Sequence, residues 1–211
     1  LGTTMIPVMS EVEKKEGLDG KINHTNNILN ISILISAVII MLGWFFSPQI
    51  IKVLAHGFKG EQFDLAVMMM RIGLPVIVFA GIVGIYRGFL QSELMFLESA
   101  ATAFPFNFTY ILFLIFLSGI FGIKGLMITS VLAVGTQMLI QLPGIKKTGY
   151  RYQFLINFKD RYAKKVFYLA LPVLVSIAMG DLNVIVDRSM ASVLKEGSIS
   201  ALNYSSKLNG F

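Results

Sequence analysis

The chain has 211 residues, 55% hydrophobic and only 14% charged, with a mean hydropathy of +0.72 and a formal net charge of +6. Soluble globular chains are nearer 45–50% apolar and about 25% charged, so the composition excludes an ordinary cytosolic enzyme and belongs with membrane proteins. The absence of cysteine excludes a disulfide framework, a thiolate metal site and a cysteine nucleophile, and cations scattered between apolar runs give no basic face for a nucleic acid.

A hydrocarbon core of about 30 Å needs about 20 apolar residues per helix. In chain order, residues 28–46 form an uncharged run that closes at Ser47 and Pro48. Residues 72–86 lie between Arg71 and Arg87 and draw on 65–70 to reach spanning length. The run 100–121 is the cleanest, 125–142 follows a short turn at 122–124, and 166–186 is a fifth span once its polar residues are accepted. A sixth begins near Ile199. The expected fold is therefore all-α, a polytopic membrane helix bundle. The longest connection, 143–165, has 23 residues and is too short for a core of its own. With no initiator Met, no signal-peptide pattern and an unfinished last span, the sequence reads as a fragment.

Lys and Arg counts set the orientation, because cytoplasmic loops carry the excess. Connection 143–165 holds seven: Lys146, Lys147, Arg151, Lys159, Arg161, Lys164 and Lys165. It is expected inside, and alternation then places Lys14, Lys15, Lys21 and Arg87 inside as well. The outward set is Lys52, Lys59, Arg71, Lys124, Arg188 and Lys195.

A charge at the bilayer centre costs about 2.5–3.5 kcal/mol on insertion scales, so polar groups there face a cavity or a partner. The apolar part of the fifth span, 166–179, has only 14 residues, and reaching about 20 takes in Asp181 and Asn183, with Asp187 and Arg188 directly after. Either the helix runs on past these groups beside a cavity, or it ends at Gly180 and leaves them solvated. In the last segment, Ser200, Asn203, Tyr204 and Lys207 recur at i, i+3, i+4 and i+7, one polar stripe on a helix. Lys207 either meets an anionic group in that cavity or snorkels to an interface.

No catalytic constellation stands out. His24 and His56 fall on opposite sides of the first span, so neither a metal pair nor a cofactor is expected. There is no phosphate-binding G-x-x-x-x-G-K-[ST] loop and no Ser/His/Asp arrangement. Asn23, Asn30, Asn107 and Asn203 each begin an N-x-[ST] match, but on segments placed inside or within the membrane. Pro75 and Pro172 are candidates to kink their helices, whereas Pro105 suits a first turn.

Three strings carry a family resemblance. Met-Ile-Pro-Val-Met-Ser-Glu at 5–11, followed by a short charged loop, resembles the end of the second helix in the MurJ (MviN) lipid II flippases. Gln-Leu-Pro-Gly-Ile-Lys-Lys at 141–147 is similar to their step out of the sixth helix, and residues 196–208 to their approach to the eighth. The resemblance covers the chain from the end of the second helix to the start of the eighth. It implies a partial MOP/MATE-like flippase fold, with 1–162 the latter part of a first helix bundle, 143–165 its cytoplasmic loop, and 163–211 the first helices of a second bundle.

The function that the resemblance implies is that of a non-enzymatic flippase of the bacterial cell (inner) membrane, which moves undecaprenyl-pyrophosphate-linked peptidoglycan precursor, lipid II, from the cytoplasmic to the outer leaflet by alternating access. Partners would be lipid II and membrane lipids, with no nucleic acid. The family's cavity arginine maps onto Lys207, which keeps the charge and loses the bidentate fork, and Gly210 stands where an acidic residue is expected. Substrate-contacting candidates are Lys207, Asn203, Tyr204, Ser200, Asp181, Asn183, Asp187 and Arg188. The alternative is another MOP-type exporter, either a polysaccharide lipid-carrier flippase or a MATE-like drug or cation antiporter, for which Asp181 and Asp187 would serve as coupling carboxylates.

Overall fold

The computed structural model describes residues 2–194 and 197–209, with side chains described through residue 206. The described residues form helices and connections with no strand. The helices are α1 (Gly2–Leu54), α2 (Glu61–Gly73), α3 (Val76–Ser92), α4 (Phe96–Ala100), α5 (Ala103–Phe116), α6 (Ser118–Lys147), α7 (Arg161–Ala191) and α8 (Ser198–Asn209). Five helical stretches, Gly2–Leu54, Glu61–Ser92, Phe96–Phe116, Ser118–Lys147 and Arg161–Ala191, are long and apolar enough to cross a membrane. This is the all-α, polytopic architecture that the hydropathy pattern predicts.

The breaks follow glycine and proline. The charged loop expected before the first span is instead an elbow inside α1: Gly17 adopts φ 71°, ψ −170°, and both arms stay helical. A left-handed φ costs an L side chain about 1–2 kcal/mol and glycine little, so a single residue redirects the helix. Gly122, φ 54°, makes the short turn expected between the third and fourth runs. Pro75 separates α2 from α3, while Pro172 is accommodated within α7. The fifth span does not stop at Gly180, because α7 continues through Asp181, Asn183, Asp187 and Arg188 to Ala191.

Packing divides the chain into two compact units, Leu1–Met41 with Ile72–Leu171, and Leu42–Arg71 with Pro172–Phe211. In the first unit, Met5, Val8, Met9 and Val12 form an i, i+3, i+4, i+7 stripe. They are buried in one cluster with Ile85, Phe89 and Leu90 of α3 and with Ile145, Tyr150 and Val166. Helices α5 and α6 are stitched by Tyr110 Oη donating to Ser130 Oγ at 2.8 Å and by a Thr109–Thr136 hydroxyl contact at 3.3 Å. Hydroxyl bonds of this kind hold helices together where lipid supplies no hydrophobic drive.

In the second unit, the end of α1 docks on the last turn of α7. The Gly57 N–H donates to Ser192 Oγ at 3.1 Å, and His56 Nδ1 lies 3.1 Å from Ser189 Oγ. Arg71 of α2 donates through Nε to Ser47 Oγ at 2.7 Å and lies 4.5 Å from the Trp44 ring centroid.

Candidate functional site

The polar groups singled out on α7 and α8 all fall in the second unit. Along α7, Asp181 and Arg188 are seven residues apart and share one face, while Asn183 and Asp187, four apart, share a second face about a third of a turn round the helix. On α8, Ser200, Asn203 and Tyr204 share a face as predicted. The two helices are joined through these stripes, since Arg188 Nη2 donates to Asn203 Oδ1 at 3.1 Å. Asp187 lines a cavity of about 500 Å³ with His56, Met190, Ala191, Val193, Leu194 and Leu202.

Asp181, Asn183, Asp187, Arg188, Ser200, Asn203 and Tyr204 are all exposed, Tyr204 to 70%. The described part of the unit therefore leaves these polar residues uncovered. The side chain of Lys207 lies outside the described residues. Chemically the arrangement offers a guanidinium, carboxamides, hydroxyls and two carboxylates, one of them, Asp187, beside an apolar hollow, a set of hydrogen-bond donors and acceptors on two neighbouring helices. Among the described residues no group of three His, Asp or Glu side chains is placed to hold a metal ion.

A second polar cluster, in the first unit, carries no recognisable motif. Residues 148–160 run as an extended strap between α6 and α7, and three asparagines of α1 hold its backbone. Asn26 Nδ2 donates to the Arg151 carbonyl at 2.9 Å. Asn30 Nδ2 donates to the carbonyls of Gln153 and Leu155, both at 3.0 Å. Asn27 Nδ2 donates to the Asn157 carbonyl at 3.0 Å and accepts the Asn157 N–H through Oδ1 at 2.6 Å. Tyr150 and Tyr152 donate their hydroxyls back to Asn26 and Asn30. Asn26, Asn27 and Asn30 are buried. A buried carboxamide is tolerated because each of its donors and acceptors is used.

At the end of the strap, Asp160 Oδ2 accepts from Asn27 at 2.9 Å and lies 2.8 Å from His24 Nδ1, while Oδ1 accepts the Tyr162 N–H at 2.8 Å. His24 Nε2 faces Glu16 at 2.9 Å across the elbow. Burial alone would push the Asp160 pKa up, but the bonds from His24, Asn27 and the Tyr162 amide outweigh it and hold the carboxyl below its ordinary value. Burial likewise opposes a charged His24, and the two carboxylates outweigh it, raising the imidazole pKa. Beside this, Lys21 is fully buried, paired with Glu13 at 2.8 Å and with Glu93, its ammonium 5.3 Å from the Phe89 ring centroid.

No sequence pattern gives these residues a role. The asparagine spacing of i, i+1, i+4 is visible on α1, but the partners are main-chain carbonyls more than 120 residues later, which no side-chain pattern marks.

Comparison with known proteins assigns the chain to a family. A family model described as lipid II flippase MurJ matches residues 1–211. The chain is 27% identical to the probable lipid II flippase MurJ of Rickettsia prowazekii (strain Madrid E), aligned over all of this chain and 42% of that protein. It is 25% identical to the lipid II flippase MurJ of Burkholderia cenocepacia over 98% of this chain and 42% of that protein. The structure is similar to a solved lipid II flippase MurJ in an inward closed conformation, with TM-score 0.77 and 26% identity over 99% of this chain and 43% of that one. The chain thus spans about four-tenths of the length of these relatives. With a family model matched from its first residue to its last and the helical architecture shared, the chain belongs to the lipid II flippase MurJ family.

Proposed function

We propose that this chain forms part of a multi-pass lipid II flippase of the bacterial inner membrane, a transporter with no enzymatic step. In this reading, residues 1–162 are the latter part of a first bundle and 163–211 the first helices of a second. The observation that carries it is the family match along the whole chain, and the Arg188–Asn203 bond between two polar helices adds to it. A flippase has to pass a pyrophosphate and sugar head through about 30 Å of hydrocarbon while the lipid tail stays outside, which requires a polar, cationic groove between helices. Arg188, Lys207, Asn203, Tyr204 and Ser200 suit such a wall, with Asp181 on the same face of α7 as Arg188 and with Asn183 and Asp187 farther round that helix. Alternating access of two bundles about a midplane site completes the cycle. Moving one negative charge outward across an inside-negative membrane releases about 2.3 kcal/mol per 100 mV, a driving force that needs no nucleotide site. Membership of the MurJ family favours this reading over that of another MOP-type exporter.

The test is complementation by the full-length protein in a strain depleted of its own flippase, with outer-leaflet lipid II as the readout. Lys207→Glu and Arg188→Glu are expected to abolish growth and lipid II exposure at normal membrane abundance, and Lys207→Arg to preserve both. Undiminished growth and exposure with both charge reversals would overturn the assignment of these cations to the substrate path.

A further inference from the structure

We propose that the strap at residues 148–160 is a docking surface for the anionic phospholipid headgroups of the membrane in which the helices sit. Three observations in the first unit lead there. The inner edge of the strap is occupied, because its carbonyls are taken by Asn26, Asn27 and Asn30. Its outer side is aromatic without being covered: Phe154 is 79% exposed and Phe158 60%. The cations around it are exposed, and Lys146, Arg151, Lys159 and Lys164 have no carboxylate partner among the described residues. The single acidic residue between 143 and 165, Asp160, is buried and turned toward His24 and Asn27. The exposed charges that the strap itself carries are therefore all positive, with Glu16, Glu98 and Glu11 meeting His24, Lys147 and Lys165 at its margins.

A basic and aromatic surface fits several acidic partners, and position selects the lipid. The strap is tethered at Lys147 and at Arg161 to two helices that are each long and apolar enough to cross the membrane. Both ends are thus held at a membrane boundary, where exposed Phe rings bury at the edge between headgroups and acyl chains and clustered Lys and Arg are drawn to anionic lipid. The asparagine clamp orders the strap in advance, so docking costs little conformational entropy. This proposal does not depend on which substrate the protein carries.

The experiment uses the full-length protein in nanodiscs of phosphatidylcholine, with or without phosphatidylglycerol. It carries Phe154→Cys as its sole cysteine, labelled with an environment-sensitive fluorophore. Quenching by lipids bearing a nitroxide near the headgroup is expected to be at least about twofold stronger with phosphatidylglycerol, and the difference is expected to collapse at high salt. It should also collapse in Lys146→Gln/Arg151→Gln/Lys159→Gln/Lys164→Gln, whose thermal unfolding midpoint should match the parent. A label open to aqueous iodide in both lipid mixtures would overturn the proposal. So would a label shielded equally in both mixtures and in the quadruple variant, the result expected if protein covers the strap.

Discussion

Asn27 has a fully used carboxamide. It donates to the Asn157 carbonyl and to Asp160, accepts the Asn157 N–H, and is only 1% exposed. Replacement by leucine keeps the branched shape and the number of heavy atoms but removes all three bonds, two to the Asn157 backbone and one to the Asp160 carboxylate. Orphaning a buried polar group costs about 1–3 kcal/mol, but a released strap rehydrates, so the expected loss is about 2 kcal/mol of local stability rather than global unfolding. Protease cleavage within 150–160 should rise accordingly while the spans remain protected. The neighbouring His24 adds a pH dependence whose sign follows from its two carboxylates. Its pKa is raised in the fold, so its contribution is complete below the ordinary 6.5 and is lost as pH rises through the raised value. Asp160 is lowered, so its contribution is complete above the ordinary 3.8 and is lost as pH falls through the lowered value. Hydrogen-exchange protection of the Asn157 and Tyr162 amides should therefore be greatest between 3.8 and 6.5 and decline above that window, and His24→Gln should abolish the decline. Arg188 and Asn203 are legible in the sequence because polar groups inside an apolar span are costly and rare, so they stand out. His24 and the asparagines are not, because outside a span polar residues are unremarkable until their partners are known.

At the scale of elements, hydropathy locates all five spanning stretches, and glycine with proline locates the turn at Gly122 and the break at Pro75. The elbow at Gly17 reads in sequence as a loop, because a charged segment between two helices looks solvated and its tertiary partners do not show. Lys21 is the residue that reverses that reading. It is fully buried, with its ammonium shared between Glu13 on the first arm and Glu93 at the end of α3, so it ties the two arms of α1 to the α3–α4 connection. Lys21→Met preserves the stem and its packing on Phe89 but leaves both carboxylates without their cation. Breaking a buried pair costs about 3–5 kcal/mol, and because Glu13 is 43% exposed and can rehydrate, the lower end of that range is expected. Thermal unfolding of the purified full-length protein measures it. Glu93→Gln should produce the smaller loss, since Glu13 still neutralises the ammonium.

For the molecule as a whole, the contacts inside each unit bear on topology. In the first unit, Lys21 meets Glu93, His24 meets Asp160, and Lys147 lies 3.6 Å from Glu98. The elbow, the α3–α4 connection and the strap therefore gather at one end of that unit. These are the three segments that strict alternation of spans assigns to one face. In the second unit, residues 53–57 meet residues 189–192, and both belong to the face that alternation makes opposite. Contacts alone do not say which face is inside, and the Lys and Arg bias supplies an expectation: eleven fall on segments that alternation puts on the first face and six on those it puts on the opposite one. On the same count the elbow, the α3–α4 connection and the strap are expected on the cytoplasmic side. The 211 residues hold no cysteine, so single cysteines at Lys159 and Lys59, both exposed, report on the two faces once any others in the full-length protein are replaced. Lys159→Cys is expected to react with a membrane-impermeant maleimide only after the cells are permeabilised, and Lys59→Cys to react in intact spheroplasts. The opposite pattern would invert the chain in the membrane and overturn the orientation that its charges support.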